Sequence, residues 1–158
     1  MSSIAQYSVN YIDWDKINSE IHYNKRKTYE LSNLFRTMFT IELEEKLRLK
    51  HYETIAVSCH PGVTLTNISR FMPKILRNPI LTKIMNTLVF HTPYKAAMPA
   101  LMATTSSNIK GGEFVGLNTN KQYRGSPKVV LPNQLVCDKR LREILWRKSI
   151  EVTGVDLE

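Results

Sequence analysis

Several quick signposts are missing from this sequence. It has two cysteines in 158 residues, Cys59 and Cys137, and neither belongs to a C-x-x-C pair. That argues against a disulfide scaffold and fits structural thiols in a reducing compartment, so a cytoplasmic location is expected. The histidines (His22, His51, His60 and His91) lack zinc spacing, and the Cys59–His60 doublet falls short of a tetrahedral ligand set, so no metal site is expected. No apolar run approaches bilayer-spanning length. The opening "MSSIAQYSVNYIDW" has neither the basic nor the apolar segment of a signal peptide. Internal repeats and low-complexity stretches are absent.

What is present is enough for one domain with a real core. Hydrophobic residues make up 42% of the chain, which argues against disorder. The formal net charge is +8. The basic residues are scattered, and no recognition motif accompanies them, so nucleic-acid binding is not expected.

Residues 1–27 show no clear period and read as loop. From Thr28, a plausible N-cap, the pattern turns helical and runs to about Leu49. Leu31, Leu34, Phe35 and Met38 form its apolar stripe, widened by Phe39, Ile41 and Leu43. Glu42–Lys46 and Glu44–Arg48 are i,i+4 pairs in the favourable order. Tyr29, Asn33 and Arg36 fall on another side, where an asparagine is ordinarily solvated. "ETIAVSCHPG" reads as a buried strand closed by Pro61–Gly62. Residues 64–92 are irregular, broken by Pro73 and Pro79. Thr92–Pro93 opens a second helix, with Pro99 a possible kink. "GGEFVGLNT" is a short strand, "PKVVLPNQ" a loop, and "CDKRLREILWRKSIEVTG" a terminal helix stopped by Gly154.

In order and spacing, four stretches resemble the short-chain dehydrogenase/reductase family, in particular its retinol-dehydrogenase-like branch. "MSSIA" is similar to the serine segment ending the family's fifth strand, and "YELSNLFRTMFTIELEEKL" to its Tyr-x-x-Ser-Lys helix. "VSCHPGVTLTNI" resembles the Pro-Gly-x-x-x-Thr turn after the sixth strand. "GGEFVG", "RGSPKVV" and "LWRKSIEVTGV" resemble the seventh strand and C-terminal helix. Together they cover nearly the whole chain.

The resemblance implies an α/β fold, the C-terminal part of a Rossmann-type doubly wound parallel sheet lacking its N-terminal strands. Residues 1–158 would form a single partial domain, with a substrate lid at about 64–92. It places Ser3 where a serine bonds the substrate oxygen and Tyr29 where a tyrosine moves the proton. Pro61, Gly62 and Val63 would lie against the nicotinamide carboxamide, and Thr66 would bond the cofactor. Asn33 stands where the family has its catalytic lysine. A tyrosine in water titrates near about 10, and lowering that by three units takes about 4 kcal/mol of differential stabilisation. Asn33 can bond a ribose hydroxyl but brings no charge, and Lys25, one turn before Tyr29, is displaced along the helix axis. The family's Gly-rich turn and Asn-Asn-Ala-Gly segment have no counterpart.

The expected parent reaction is therefore NAD- or NADP-dependent hydride transfer on a hydrophobic alcohol or carbonyl compound. The isolated chain is expected to bind no cofactor and to be inactive. The competing reading is a non-enzymatic binding or assembly module, or half of a complemented split enzyme, joining a second copy or an N-terminal half through the 28–49 helix. Residues 68–90 mix apolar and basic side chains, which suits a lid better than a membrane-surface segment.

Overall fold

The computed structural model describes residues 1–17, 23–64 and 92–157. Among them, three α-helices surround a small three-stranded sheet.

Helix α1, Lys25–Leu49, starts earlier than the sequence suggested. Its N-cap is Asn24, whose side-chain oxygen accepts the Arg26 and Lys27 N–H groups at 3.1 Å each. Thr28 cannot be the cap because its N–H already donates to the Asn24 carbonyl, at 2.8 Å. Arg26 pairs with Glu30 (2.9 Å) and Lys46 with Glu42 (3.7 Å), one turn apart in each case. Glu44 does not serve its helix neighbour; it accepts the Ala56 N–H at 2.8 Å and so ties down the chain entering the sheet. The helix closes with His51 in a left-handed conformation (φ 59°) and the Tyr52 N–H returning to the Leu47 carbonyl at 3.0 Å, a Schellman-type end made without glycine.

Strand β1 is Ser58–Cys59, β2 is Phe114–Leu117 and β3 is Pro127–Val129. β1 pairs with β2 in parallel, Ser58 opposite Phe114. β2 pairs with β3 antiparallel, Val115 opposite Val129. The sheet is thus mixed, which corrects the all-parallel expectation and the reading of residues 127–134 as loop. Pro127 disguised the strand, but proline is tolerated as the first residue of an edge strand. On the far side of β1, the Ser2 N–H donates to the Cys59 carbonyl at 2.7 Å. The first residues are therefore not loose: Ser3 caps a 3-10 turn over Ile4–Ser8, and Ser2 is buried.

Helix α2, Pro93–Thr105, has Thr92 as its N-cap and proline in its first turn. Its Ala100, Met102 and Ala103 pack against Cys59 and Val115 of the sheet and Ile109 of the loop before β2. Because strand side chains alternate, Phe114 lies on the opposite face, where it stacks on His60 at 5.5 Å.

Helix α3, Lys139–Thr153, is capped by Asp138 and stopped by Gly154 at φ 70°. Its Leu145, with Val136 of the 3-10 turn before the helix (Gln134–Cys137), packs on Leu34 and Met38 of α1. Phe39 stacks on Trp146 at 4.8 Å. Arg142, 5% exposed, sits between Glu42 (3.4 Å) and Glu45 and also donates to the Val136 carbonyl at 2.9 Å.

Candidate functional site

Ser3 and Tyr29, twenty-six positions apart in sequence, line one open cavity of about 660 Å³, together with Tyr7, Arg26, Gln122 and Tyr123. Two elements bring them together. The 3-10 turn at Ile4–Ser8 lies against α1, and the loop after β2 closes the other side. Ser3 spends its side-chain oxygen on the Ala5 N–H at 3.2 Å. Tyr29 is 53% exposed, and among the described residues nothing hydrogen-bonds its hydroxyl.

Asn33 does not share that opening. It is 1% exposed, so the solvated polar face expected there is absent. Its amide nitrogen donates to the Tyr29 carbonyl at 2.8 Å, and its side-chain oxygen accepts from Arg36 at 3.3 Å. The Ser2 hydroxyl donates to its backbone carbonyl at 2.8 Å. The N-terminal segment has covered this side of the helix, which a local periodicity argument could not foresee.

Pro61, Gly62 and Val63 form a turn behind the cavity rather than part of its lining. Gly62 has φ 75°, and a Cβ there would stand 2.6 Å from the Tyr123 carbonyl oxygen. The Val63 N–H donates to that same carbonyl at 2.9 Å, so the turn is bonded to a residue of the cavity wall. Thr66 and the proposed lid, apart from its end residues Thr64 and Thr92, lie outside the described residues. The Thr64 hydroxyl is buried with no described partner.

His60, on sequence alone a strand-end residue before Pro61, takes a larger part in the fold. It is fully buried, accepts the Gly62 N–H on Nδ1 at 3.1 Å, and meets Gln122 Oε1 through Nε2 at 2.7 Å. Burial pushes its pKa below the ordinary histidine value, partly opposed by Gln122. Gln122 in turn donates to Tyr7 Oη at 3.2 Å, and burial raises the Tyr7 pKa, again partly opposed by that bond. Burial likewise raises the Cys59 thiol. Among the described residues no cluster of three or more histidine, cysteine or carboxylate side chains could hold a metal. Nor is any described helix long and apolar enough to cross a membrane.

A mixed α/β sheet flanked by helices is consistent with part of a Rossmann-like fold. A crystal structure of an uncharacterized protein from Mycobacterium Paratuberculosis superimposes with a TM-score of 0.72 at 22% identity, covering 99% of this chain and 50% of that one. At that identity the likeness concerns the fold. No family model matches the chain. Among curated proteins, retinol dehydrogenase 14 of Homo sapiens is 33% identical over 155 residues, 94% of this chain and 42% of its own length. Polyprenol dehydrogenase of Homo sapiens is 25% identical over 97% of this chain and 44% of its own length. The dehydrogenase/reductase SDR family member FEY of Arabidopsis thaliana is 25% identical over 98% and 42% respectively. The chain thus resembles the short-chain dehydrogenase/reductase family, and its retinol-dehydrogenase-like branch, over nearly all its length. It spans less than half the length of these curated relatives.

Proposed function

We propose that residues 1–158 are a single partial domain, the C-terminal portion of an NAD(P)-dependent short-chain dehydrogenase/reductase acting on a hydrophobic alcohol or carbonyl compound. The observation that carries this reading is the shared cavity of Ser3 and Tyr29, with the Pro61–Val63 turn bonded to its wall. In it, Ser3 orients the substrate oxygen and Tyr29 exchanges a proton with it. The names of the curated relatives, which include retinol and polyprenol dehydrogenases, support an apolar substrate. A cytoplasmic location belongs to the same proposal.

The described residues fit only one end of the dinucleotide. The Pro61–Gly62–Val63 backbone suits a carboxamide that approaches closely, because Gly62 offers no Cβ, and Thr66 would add a hydroxyl. The pyrophosphate has no comparable seat. Helix N-termini are the usual anion sites, and at α1, α2 and α3 the caps Asn24, Thr92 and Asp138 already take one or two of the free N–H groups. When bound, the cofactor supplies hydride chemistry; the phosphate seat would have to come from outside these residues. Asn33, turned into its own helix, supplies no cation to Tyr29. This chain alone is therefore expected to be inactive.

A second reading, an assembly module or one half of a complemented enzyme, is favoured by the edge of β1. Among the described residues one backbone bond, Ser2 to Cys59, covers it, and a strand edge invites pairing. Co-expression with an N-terminal half carrying a T-G-x-x-x-G-x-G turn tests both. Alcohol oxidation appearing in the complex, and lost on Tyr29→Phe, supports the enzyme reading. A stable complex without oxidation, unchanged by Asn33→Lys, supports the module.

A further inference from the structure

Three side chains of one hydrogen-bonded chain, His60, Gln122 and Tyr7, take no part in the roles just assigned. The two ends of that hydrogen-bonded chain fix the sense of every link. The Gly62 N–H can only donate, and the Leu131 carbonyl can only accept. His60 Nδ1 must therefore accept from Gly62, at 3.1 Å, which leaves the ring neutral with its proton on Nε2. That proton goes to Gln122 Oε1 at 2.7 Å. Gln122 Nε2 then donates to Tyr7 Oη at 3.2 Å, and Tyr7 donates to the Leu131 carbonyl at 2.7 Å. Gly116 makes room for the middle link, since a Cβ there would stand 2.3 Å from Gln122 Oε1 and 2.8 Å from His60 Nε2. One end of the chain is the Pro61–Val63 turn; its middle, Gln122 and Tyr7, is cavity wall.

We propose that His60 is a positioning residue: neutral and protonated on Nε2, it locks the Pro61–Val63 turn to the Gln122–Tyr7 wall of the Ser3 and Tyr29 cavity, so that turn and wall respond as one unit. This rests on the preceding reading only for the use of that cavity; the coupling itself is visible without catalysis. Protonation sets Nδ1–H against the Gly62 N–H, donor against donor, and removes the first link. Among the described residues, the ionisable and charged groups on the elements around the ring are Tyr7 and the Met1 amino group from the N-terminal segment, Cys59 on β1, Lys128 on β3 opposite Gly116, and Lys121, Tyr123 and Arg124 on the loop carrying Gln122. Phe114 stacks on the ring from β2. Among the described residues no carboxylate bonds the imidazole, and burial opposes its positive form.

Nitrogen-resolved NMR of the whole chain tests this directly, following the His60 ring, the Tyr7 ring and the amide exchange of Gly62 and Val63 from about pH 7.5 to about pH 5. The expected result is an Nε2–H tautomer that titrates below about 6.5. Exchange at Gly62 and Val63, corrected for its intrinsic pH dependence, should rise about tenfold or more with the same midpoint. Tyr7 should shift with it while α1 amides do not. Substitution gives a second, divided readout. His60→Asn offers an oxygen near the Nδ1 position, and should keep Gly62 protected while uncoupling Tyr7. His60→Gln offers an amide near Nε2, and should do the reverse. Should either variant fail to fold, the wild-type titration still decides. An Nδ1–H tautomer, or turn and Tyr7 signals indifferent to His60 protonation, would overturn the proposal. A chain with no oxidoreductase activity would still show the coupling, so the two readings fail separately.

Discussion

The two sides of this molecule are held by different forces. Between α1 and α3, aliphatic side chains, a stacked Phe39–Trp146 pair and a buried arginine between two glutamates do the work. Between the sheet and the cavity wall, neutral hydrogen bonds run through glycines that permit close approach. The first arrangement tolerates changes of pH around neutrality but not the loss of a charge partner. The second tolerates little added volume and depends on one imidazole staying neutral. The α1–α3 contact is a scaffold, while the cavity that Tyr29 of α1 lines is walled by the side whose bonds a proton or a methyl group can undo.

The largest expected effect probes the scaffold. Arg142→Ala leaves Glu42, itself 4% exposed, with Lys46 at 3.7 Å as its remaining cation and should cost about 3 kcal/mol. The shift of the urea midpoint measures it, and a loss under about 1 kcal/mol would mean that water reaches the pair. Next comes the turn. Gly62→Ala forces a left-handed residue against the Tyr123 carbonyl, at about 2–3 kcal/mol, and should loosen Val63 before it loosens α1. Hydrogen exchange would resolve that order.

The pH dependence comes third. The folded-state pKa of His60 is lowered, so its contribution to stability is full above the unfolded value of about 6.5 and is lost as pH falls from there through the folded value. Across that window stability should fall by at most about 1.4 kcal/mol per pH unit. His60→Gln, which cannot titrate, should flatten the slope; an unchanged slope would assign the effect to another group. The smallest effect concerns the start of α1. Asn24→Ala should cost about 1 kcal/mol and Thr28→Ala only a few tenths. Equal losses would return the cap to Thr28.

Local pattern revealed what local physics decides. The apolar stripe of Leu34 and Met38, the Thr92–Pro93 helix start and the Gly154 stop were all legible, because each depends on neighbours within a turn or two. The start of α1 was misplaced by one turn because both Asn24 and Thr28 are residue types that cap. β3 was hidden by Pro127, since the exception for edge strands requires knowing where the edge is. Asn33 looked solvated until Ser2, thirty-one residues away, was seen against it. His60 and Gln122 are sixty-two residues apart, and no spacing rule joins a histidine before a proline to a glutamine in a later loop. Ser3 and Tyr29 were named through resemblance to a family; that they line one cavity emerged from the fold.

On the reading proposed above, residues 1–158 hold the substrate side of a dehydrogenase site and no seat for the cofactor's phosphates. Titration of the purified chain with NADH and NADPH, by fluorescence and by calorimetry, tests that claim most directly. No saturable binding in the micromolar range by the chain alone is expected. Micromolar binding of either nucleotide, abolished by a substitution within residues 1–158, would contradict it.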